Sequence, residues 1–345
     1  MDLLWLGEPG AGELALVGGK VANLSRLASR YRVPPGFCLT TAVLGRRLEG
    51  TEDGCSTLRQ LLAAAYRELG ERCGVAEPSV AVRSSAVDED GQSASFAGQH
   101  ETYLNVVGVD ALVMAVERCW ASALSERALE YRRQQGLSPA GARLAVLVQQ
   151  LVPADVSAVV FSANPVTNDR DEVLINASWG LGESVVGGTV TPDAYVVRKH
   201  DLAVVSRQIA DKRRMTVAVS LAPPHHDGAT AGRPDSGIAG GTEAPSGYPG
   251  RRTDEARSEW EAGTREVDVP RLLRLERTLD DRQATEMAEL ALALESEMGW
   301  PVDVECAFAG GALYLLQCRP ITTLAREPAL ETVGSAEAAR ERIGS

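Results

Sequence analysis

The chain has 345 residues, of which 44% are hydrophobic and 24% charged, and it carries a formal charge of −12. That length and balance fit a globular protein with a large buried core, and the acidic surface argues against a polyanion as its main partner. No apolar run approaches a membrane span, and the acidic N-terminus is too short in its apolar stretch for a signal peptide, so a cytoplasmic location is expected.

Taken in order, Val17-Gly18-Gly19-Lys20 precedes a helical pattern with Leu24 and Leu27 on one face. Lys20 therefore sits at a Gly-rich turn entering a helix, where free backbone N–H groups and the helix dipole favour an anion. It is not a phosphate-binding G-x-x-x-x-G-K-[ST] loop, because Val21 follows. A solvated lysine is the other reading of the residues alone. Val33-Pro34-Pro35-Gly36-Phe37 predicts a rigid turn into a strand, and Leu58 to Cys73 predicts a helix with a core face.

Val80-Ala81-Val82 reads as a buried strand and Thr102 to Val107 as another. Between them lie Arg83, two serines, the acidic cluster Asp88-Glu89-Asp90 and the small-residue run Ser95-Phe96-Ala97-Gly98. Small residues let backbone approach a ligand, and a guanidinium suits phosphate oxygens. The stretch reads either as a flap over a polyphosphate or as a polar hairpin loop.

Ala111 to Arg133 carries Val116, Cys119, Trp120, Ala123 and Tyr131 at helical spacing, a stripe assigned to the core. Leu144 to Val152 and Ser157 to Ala163 are β-rich and separated by Pro153-Ala154-Asp155, which predicts a hairpin, with Gln149 and Gln150 placing a side-chain amide or an adjacent backbone group to read an adenine edge. Gly180-Leu181-Gly182-Glu183 lacks the third glycine of a dinucleotide fingerprint, since Val185 occupies it. Residues 220–260 are rich in Gly, Pro, Ala and Ser, which predicts a flexible insertion, and His225-His226 within it reads as solvated. The six cysteines form no C-x-x-C pair and suggest neither a disulfide framework nor zinc.

The last block is chemically informative. A helix from Asp280 to Met298 leads to a strand on which Asp303 and Glu305 share a face by the period of two. The next strand delivers Gln317 and Arg319. Two acids, an amide and an arginine suit a hard divalent cation bridging phosphate oxygens, and the twelve residues from Glu305 to Gln317 fit a hairpin. An ordinary exposed hairpin face is the alternative.

Several stretches, in order, closely resemble the nucleotide-binding domain shared by phosphoenolpyruvate synthase, pyruvate phosphate dikinase and rifampicin phosphotransferase. They are LVGGKVANLSRL, VPPGFCLTT, the Val80–Val107 stretch, CWASALSERALEYR, VLVQQLVPADVSAVVFSANPVT, INASWGLGESVVGGTVTPDAYVV and VDVECAF with LYLLQCRPIT. The resemblance implies an α+β fold of ATP-grasp type, two subdomains with nucleotide in the cleft between them. It implies a domain over 1–324, with an N-terminal region to about 200, the 220–260 insertion, a metal- and nucleotide-binding part over 261–324, and a tail at 325–345.

By resemblance, Lys20, Arg83 and Arg319 contact phosphate and act in catalysis. Gln149 contacts ATP, Glu183 lines the site, Gly98 and Thr102 belong to the flap, and Glu305 and Gln317 bind Mg²⁺ with ATP. Departures stand at Val21, Ala158 and Asn164. The relatives phosphorylate a histidine in a T-S-H-type turn, which none of His100, His200, His225 and His226 matches. The expected function is therefore a Mg-ATP-dependent phosphotransferase that phosphorylates a histidine on a separate swivel-domain partner, with AMP as product. A self-sufficient small-molecule kinase and a non-catalytic ATP-binding regulatory subunit are the alternatives.

Overall fold

β-branched and apolar runs pair into two antiparallel sheets, whose order decides where the charged residues meet. The computed structural model describes residues 1–48, 54–87, 102–123, 125, 130, 133, 143–219 and 263–324. Residues 88–101 of the expected flap, the whole 220–260 insertion with its histidines, Tyr131 and the 325–345 tail lie outside them.

The first sheet has five strands in the order β1 (Leu3–Trp5), β2 (Gly36–Leu39), β5 (Leu144–Gln150), β3 (Val80–Ala86), β4 (Thr102–Val106). One of its faces packs on helices α2 (Thr41–Leu48), α3 (Gly54–Cys73) and α4 (Val109–Ala123). Leu58, Leu62, Ala65 and Leu69 of α3 and Val116, Cys119 and Trp120 of α4 are buried there against Leu39, Val82 and Val148. Val116, Cys119 and Trp120 of the stripe are core, as their helical spacing indicates.

The second sheet has six strands in the order β13 (Ala312–Pro320), β12 (Val302–Ala309), β6 (Val156–Phe161), β7 (Glu172–Trp179), β8 (Asp193–Arg198), β9 (Val204–Gln208). A two-stranded arm, β10 (Arg214–Ala218) with β11 (Thr264–Asp268), stands beside it. A single turn of helix, α5 (Glu183–Val186), follows β7. Helix α6 (Asp281–Met298) starts at a capping box: the Asp280 carboxylate accepts from Gln283 N at 2.7 Å, and the Gln283 side chain accepts from Asp280 N at 3.0 Å. Its Met287 and Leu294 face the sheet, each worth about 1.5–3 kcal/mol of burial.

Helix α1 (Leu14–Leu27) lies between the sheets. The same cluster holds its Leu24 and Leu27, Cys38 and Leu147 of the first sheet, and Val160, Ile175, Val304 and Cys318 of the second. Within α1 the backbone breaks at Gly18, whose φ of 73° and ψ of 169° interrupt the helix before Lys20. This is the turn that the Gly-Gly pair predicts.

The predicted hairpin over residues 144–163 does not form. β5 pairs with β2 and β3 in the first sheet, and β6 pairs with β7 and β12 in the second. The short link over 151–155 instead carries the chain from one sheet to the other. It is fixed by Leu151 N donating to Ser79 O at 2.9 Å and Asp155 N donating to Phe308 O at 2.9 Å. The chain thus passes from the first sheet to the second at 151–155. One other bound shifts: β3 continues through Ala86, so Arg83, Ser84 and Ser85 are strand residues. Of the helix expected over 111–133, α4 covers 109–123 and Glu130 and Arg133 are helical again, with residues 124, 126–129, 131 and 132 outside those described.

Candidate functional site

The edges of the two sheets, α1 and the 151–155 link enclose a cavity of about 310 Å³. Among the described residues its lining includes Lys20, Arg83, Thr102, Gln149, Glu183, Glu305, Gln317 and Arg319, while Asp303, the other acid of the β12 face, stands behind Arg319 and does not line it. Gly98 lies outside the described residues.

Each charged group arrives by a local rule of structure. Arg83 occupies the middle of β3, opposite Thr102 of β4 and Leu147 of β5. Its Nη1 donates across the cleft to Glu305 Oε2 at 3.4 Å. Glu305 and Gln317 are direct cross-strand partners in the β12–β13 hairpin, with Gln317 Nε2 donating to Glu305 Oε1 at 3.2 Å. Two residues along, Asp303 faces Arg319, whose Nε donates to Asp303 Oδ2 at 2.8 Å. The hairpin closes through Gly310 and Gly311, both at positive φ, and pairs Ala309 with Ala312. A bulge at Leu316, between the Cys306–Leu315 and Glu305–Gln317 pairs, then shifts the register by one residue and sets Gln317 opposite Glu305.

Lys20 stands two residues past the break at Gly18. Ser85 of β3 packs against that break, and Val21 N donates to Ser85 Oγ at 3.3 Å. The start of the second helical section is thereby held beside the strand that carries Arg83. At the opposite wall, Glu183 opens the short turn after Gly182, and its Oε2 accepts from Thr264 Oγ1 of the arm at 2.8 Å. Gln149 is buried, and its Nε2 already donates to Pro34 O at 3.1 Å, leaving one amide hydrogen and the carbonyl oxygen.

Sequence reasoning missed the apolar part of the lining: Leu104, Leu151, Val152, Leu181, Val186 and Leu316. These come from both sheets, the link and the α5 turn, and each follows or precedes a polar candidate by one to three positions. The period-two alternation of β4 was the available signal for Leu104, two residues from Thr102; Leu316 lines the cavity beside Gln317 only because it is the bulged residue of β13, which alternation does not give. Ser157 and Ala158 also line the cavity, and Ser157 Oγ donates to Gly180 O at 2.7 Å.

The electrostatics are those of a site for a polyanion with a counter-cation. Lys20, Arg83 and Arg319 supply three cations against Glu183 and Glu305. Burial pushes the Asp303 carboxyl above the ordinary aspartate value, opposed by the adjacent Arg319 and reinforced by Glu305. Burial likewise raises the Cys306 thiol, so it is not a nucleophile at neutral pH. Two buried polar atoms, Arg83 Nε and Asp303 Oδ1, have no hydrogen-bond partner among the described residues. The site thus carries donor and acceptor capacity that the protein does not itself consume. The carboxylate of Glu305 and the amide oxygen of Gln317 are hard oxygen donors that fit Mg²⁺.

The family model for the pyruvate phosphate dikinase AMP/ATP-binding domain matches residues 52–223 and 251–339. The chain is 34% identical to phosphoenolpyruvate synthase of Pyrococcus furiosus over 97% of its own length and 45% of that protein. It is 35% identical to a rifampicin phosphotransferase of a Streptomyces species over 91% of its length and 35% of that protein. To a probable phosphoenolpyruvate synthase of Methanocaldococcus jannaschii it is 34% identical, over 93% of its length and 27% of the relative. The chain spans less than half the length of these curated relatives.

Proposed function

Because the chain belongs to the pyruvate phosphate dikinase AMP/ATP-binding domain family, we propose that it binds Mg-ATP in this cleft and transfers a phosphoryl group to a histidine on a swivel-domain partner. The fold is then of ATP-grasp type, with subdomains that divide at the 151–155 link and hold nucleotide between them. One observation carries the reading: three cations and the Glu305–Gln317 pair, delivered by α1, β3, β12 and β13, converge on one cavity between the sheets.

In this reading Lys20, Arg83 and Arg319 bind the phosphates and neutralise charge that builds on their oxygens during transfer. Glu305 and Gln317 hold Mg²⁺, which when bound screens the phosphate oxygens. The apolar lining beside Gln149 takes the base, and Glu183 closes the wall. Gly98 and Thr102, at the flap, exclude water. The histidine nitrogen attacks the β-phosphorus and AMP leaves, which puts a pyrophosphoryl group on the histidine; water then cleaves the β–γ bond, inorganic phosphate departs and the β-phosphoryl group stays on the histidine.

The test is incubation with Mg²⁺ and β- or γ-labelled ATP, with and without a candidate swivel-domain protein. AMP formation with acid-labile β-label on the partner is expected. ADP formed without any partner would establish a direct kinase instead, and binding without turnover a regulatory subunit.

A further inference from the structure

The β10–β11 arm belongs to neither sheet, and its contacts bracket the cavity. On one side Leu181 N donates to Thr216 O at 2.9 Å and Thr264 Oγ1 to Glu183 at 2.8 Å, so the arm backs the turn that forms the outer wall. On the other side its end meets the first sheet through the side chain of Asn105. Asn105 Nδ2 donates to Val219 O at 2.9 Å and to Gly263 O at 2.7 Å. Its Oδ1 accepts from Ser79 Oγ at 2.7 Å.

Three features mark Asn105 as built for this contact. It is 4% exposed, so these bonds are made away from water. Its φ is 56°, a left-handed conformation that Asn tolerates better than most residues. It also lies where β4 slips against β3, since Val82 faces Tyr103 while Val80 faces Val106. Leu104 and Asn105 thus stand opposite the single residue Ala81. That bulge turns Asn105 off the ladder toward the arm while its neighbour Leu104 lines the cavity. The orientation is fixed, because a flipped amide would set its oxygen against two carbonyl oxygens.

We infer that Asn105 is a positioning residue, a latch that joins the arm to the first sheet and so fixes the outer wall of the cavity relative to Arg83 and Thr102. Its effect on affinity rests on the nucleotide reading above; its effect on the arm does not.

The test compares wild type with Asn105→Gly, which keeps the positive φ but removes the amide, and Asn105→Asp, which keeps the shape but replaces the donor with an acceptor. Amide hydrogen exchange of β10 and β11 is measured without nucleotide, and binding of Mg²⁺ with the β,γ-imido analogue of ATP by calorimetry. Loss of two buried donor bonds should speed arm exchange about tenfold or more and weaken analogue binding about tenfold, with exchange of α6 unchanged. Arm exchange unaltered in both variants overturns the latch, and so does faster exchange with an unaltered dissociation constant. If wild type binds no analogue, the nucleotide reading fails, and exchange alone decides: arm protection lost in the variants supports the latch and arm protection kept overturns it.

Discussion

Gly18→Ala tests whether the break in α1 is what holds Lys20 beside β3. At φ 73° and ψ 169° Gly18 occupies a region that is close to glycine-only, and an alanine there costs about 1–3 kcal/mol in backbone strain. A Cβ at this position would lie 2.4 Å from Ser85 O and 2.5 Å from Ser85 Oγ. One of these is backbone in the middle of a sheet, so α1 or β3 must move, which adds about 1–3 kcal/mol. The sum is about 2–6 kcal/mol of lost stability. Gly45→Ala is the matched control: it sits within α2, nothing lies within 4 Å of its added Cβ, and it should gain about 0.5–1 kcal/mol. Urea denaturation followed by circular dichroism gives both values. On the proposed reading, Gly18→Ala also weakens ATP binding and Gly45→Ala does not. If Gly18→Ala unfolded within about 0.5 kcal/mol of wild type, the strain and contact argument would be wrong.

Arg83→Ala should reduce AMP formation by about a hundredfold or more while leaving the thermal midpoint nearly unchanged, because Glu305 keeps its bond from Gln317; unaltered turnover removes Arg83 from the mechanism. Lys212→Met should destabilise by about 3–5 kcal/mol, since it strands the fully buried Asp193 carboxylate that Lys212 meets at 2.6 Å. Adding Asp193→Asn should recover part of that loss in the same denaturation assay, and no recovery would mean the pair is not the cause. Asp303→Asn should flatten the pH dependence of stability: the folded Asp303 value is raised, so the unfolded state sheds its proton first and wild-type stability falls as pH rises from about 4 through the folded value. Parallel denaturation-midpoint profiles for the two proteins across that range would contradict the sign.

What the sequence made legible was local. Period-two patterning put Asp303 and Glu305 on one face and the hairpin spacing brought Gln317 near them, while the bulge at Leu316 that sets Gln317 directly opposite Glu305 came only with the fold. The Gly-Gly pair before Lys20 marked the helix break, and Asp280 marked the start of α6. What was not legible depended on partners far along the chain. Pro153-Ala154-Asp155 has turn chemistry, yet a turn does not choose which strands pair. β5 finds partners in β2 and β3 and β6 finds them in β7 and β12, because their side chains complete different cores. The roles of Asn105, bonded to Val219 and Gly263, and of Lys212, buried against Asp193, are invisible for the same reason. The family resemblance gathered the site residues, but the hydrogen-bond partners that orient them came only with the fold.

The Arg83–Glu305 contact bridges the sheets, yet it is not what holds them together. Its separation of 3.4 Å is long for a charge-assisted bond, and with the two side chains only 14% and 17% exposed the cost of desolvating both charges offsets their attraction, so its net worth is small. The sheets are joined by α1, whose Leu24 and Leu27 share one core with Leu147 and Val304, and by the backbone bonds of the 151–155 link. Each buried leucine there contributes about 1.5–3 kcal/mol, far more than the ion pair. The polar groups across the cleft are therefore free to exchange partners without loss of the fold. Arg83 can leave Glu305 for a phosphate oxygen, and Glu305 can turn to a cation, while the apolar frame keeps both within reach. A site that depended on its own ion pairs for structure could not release them to a ligand at so little cost.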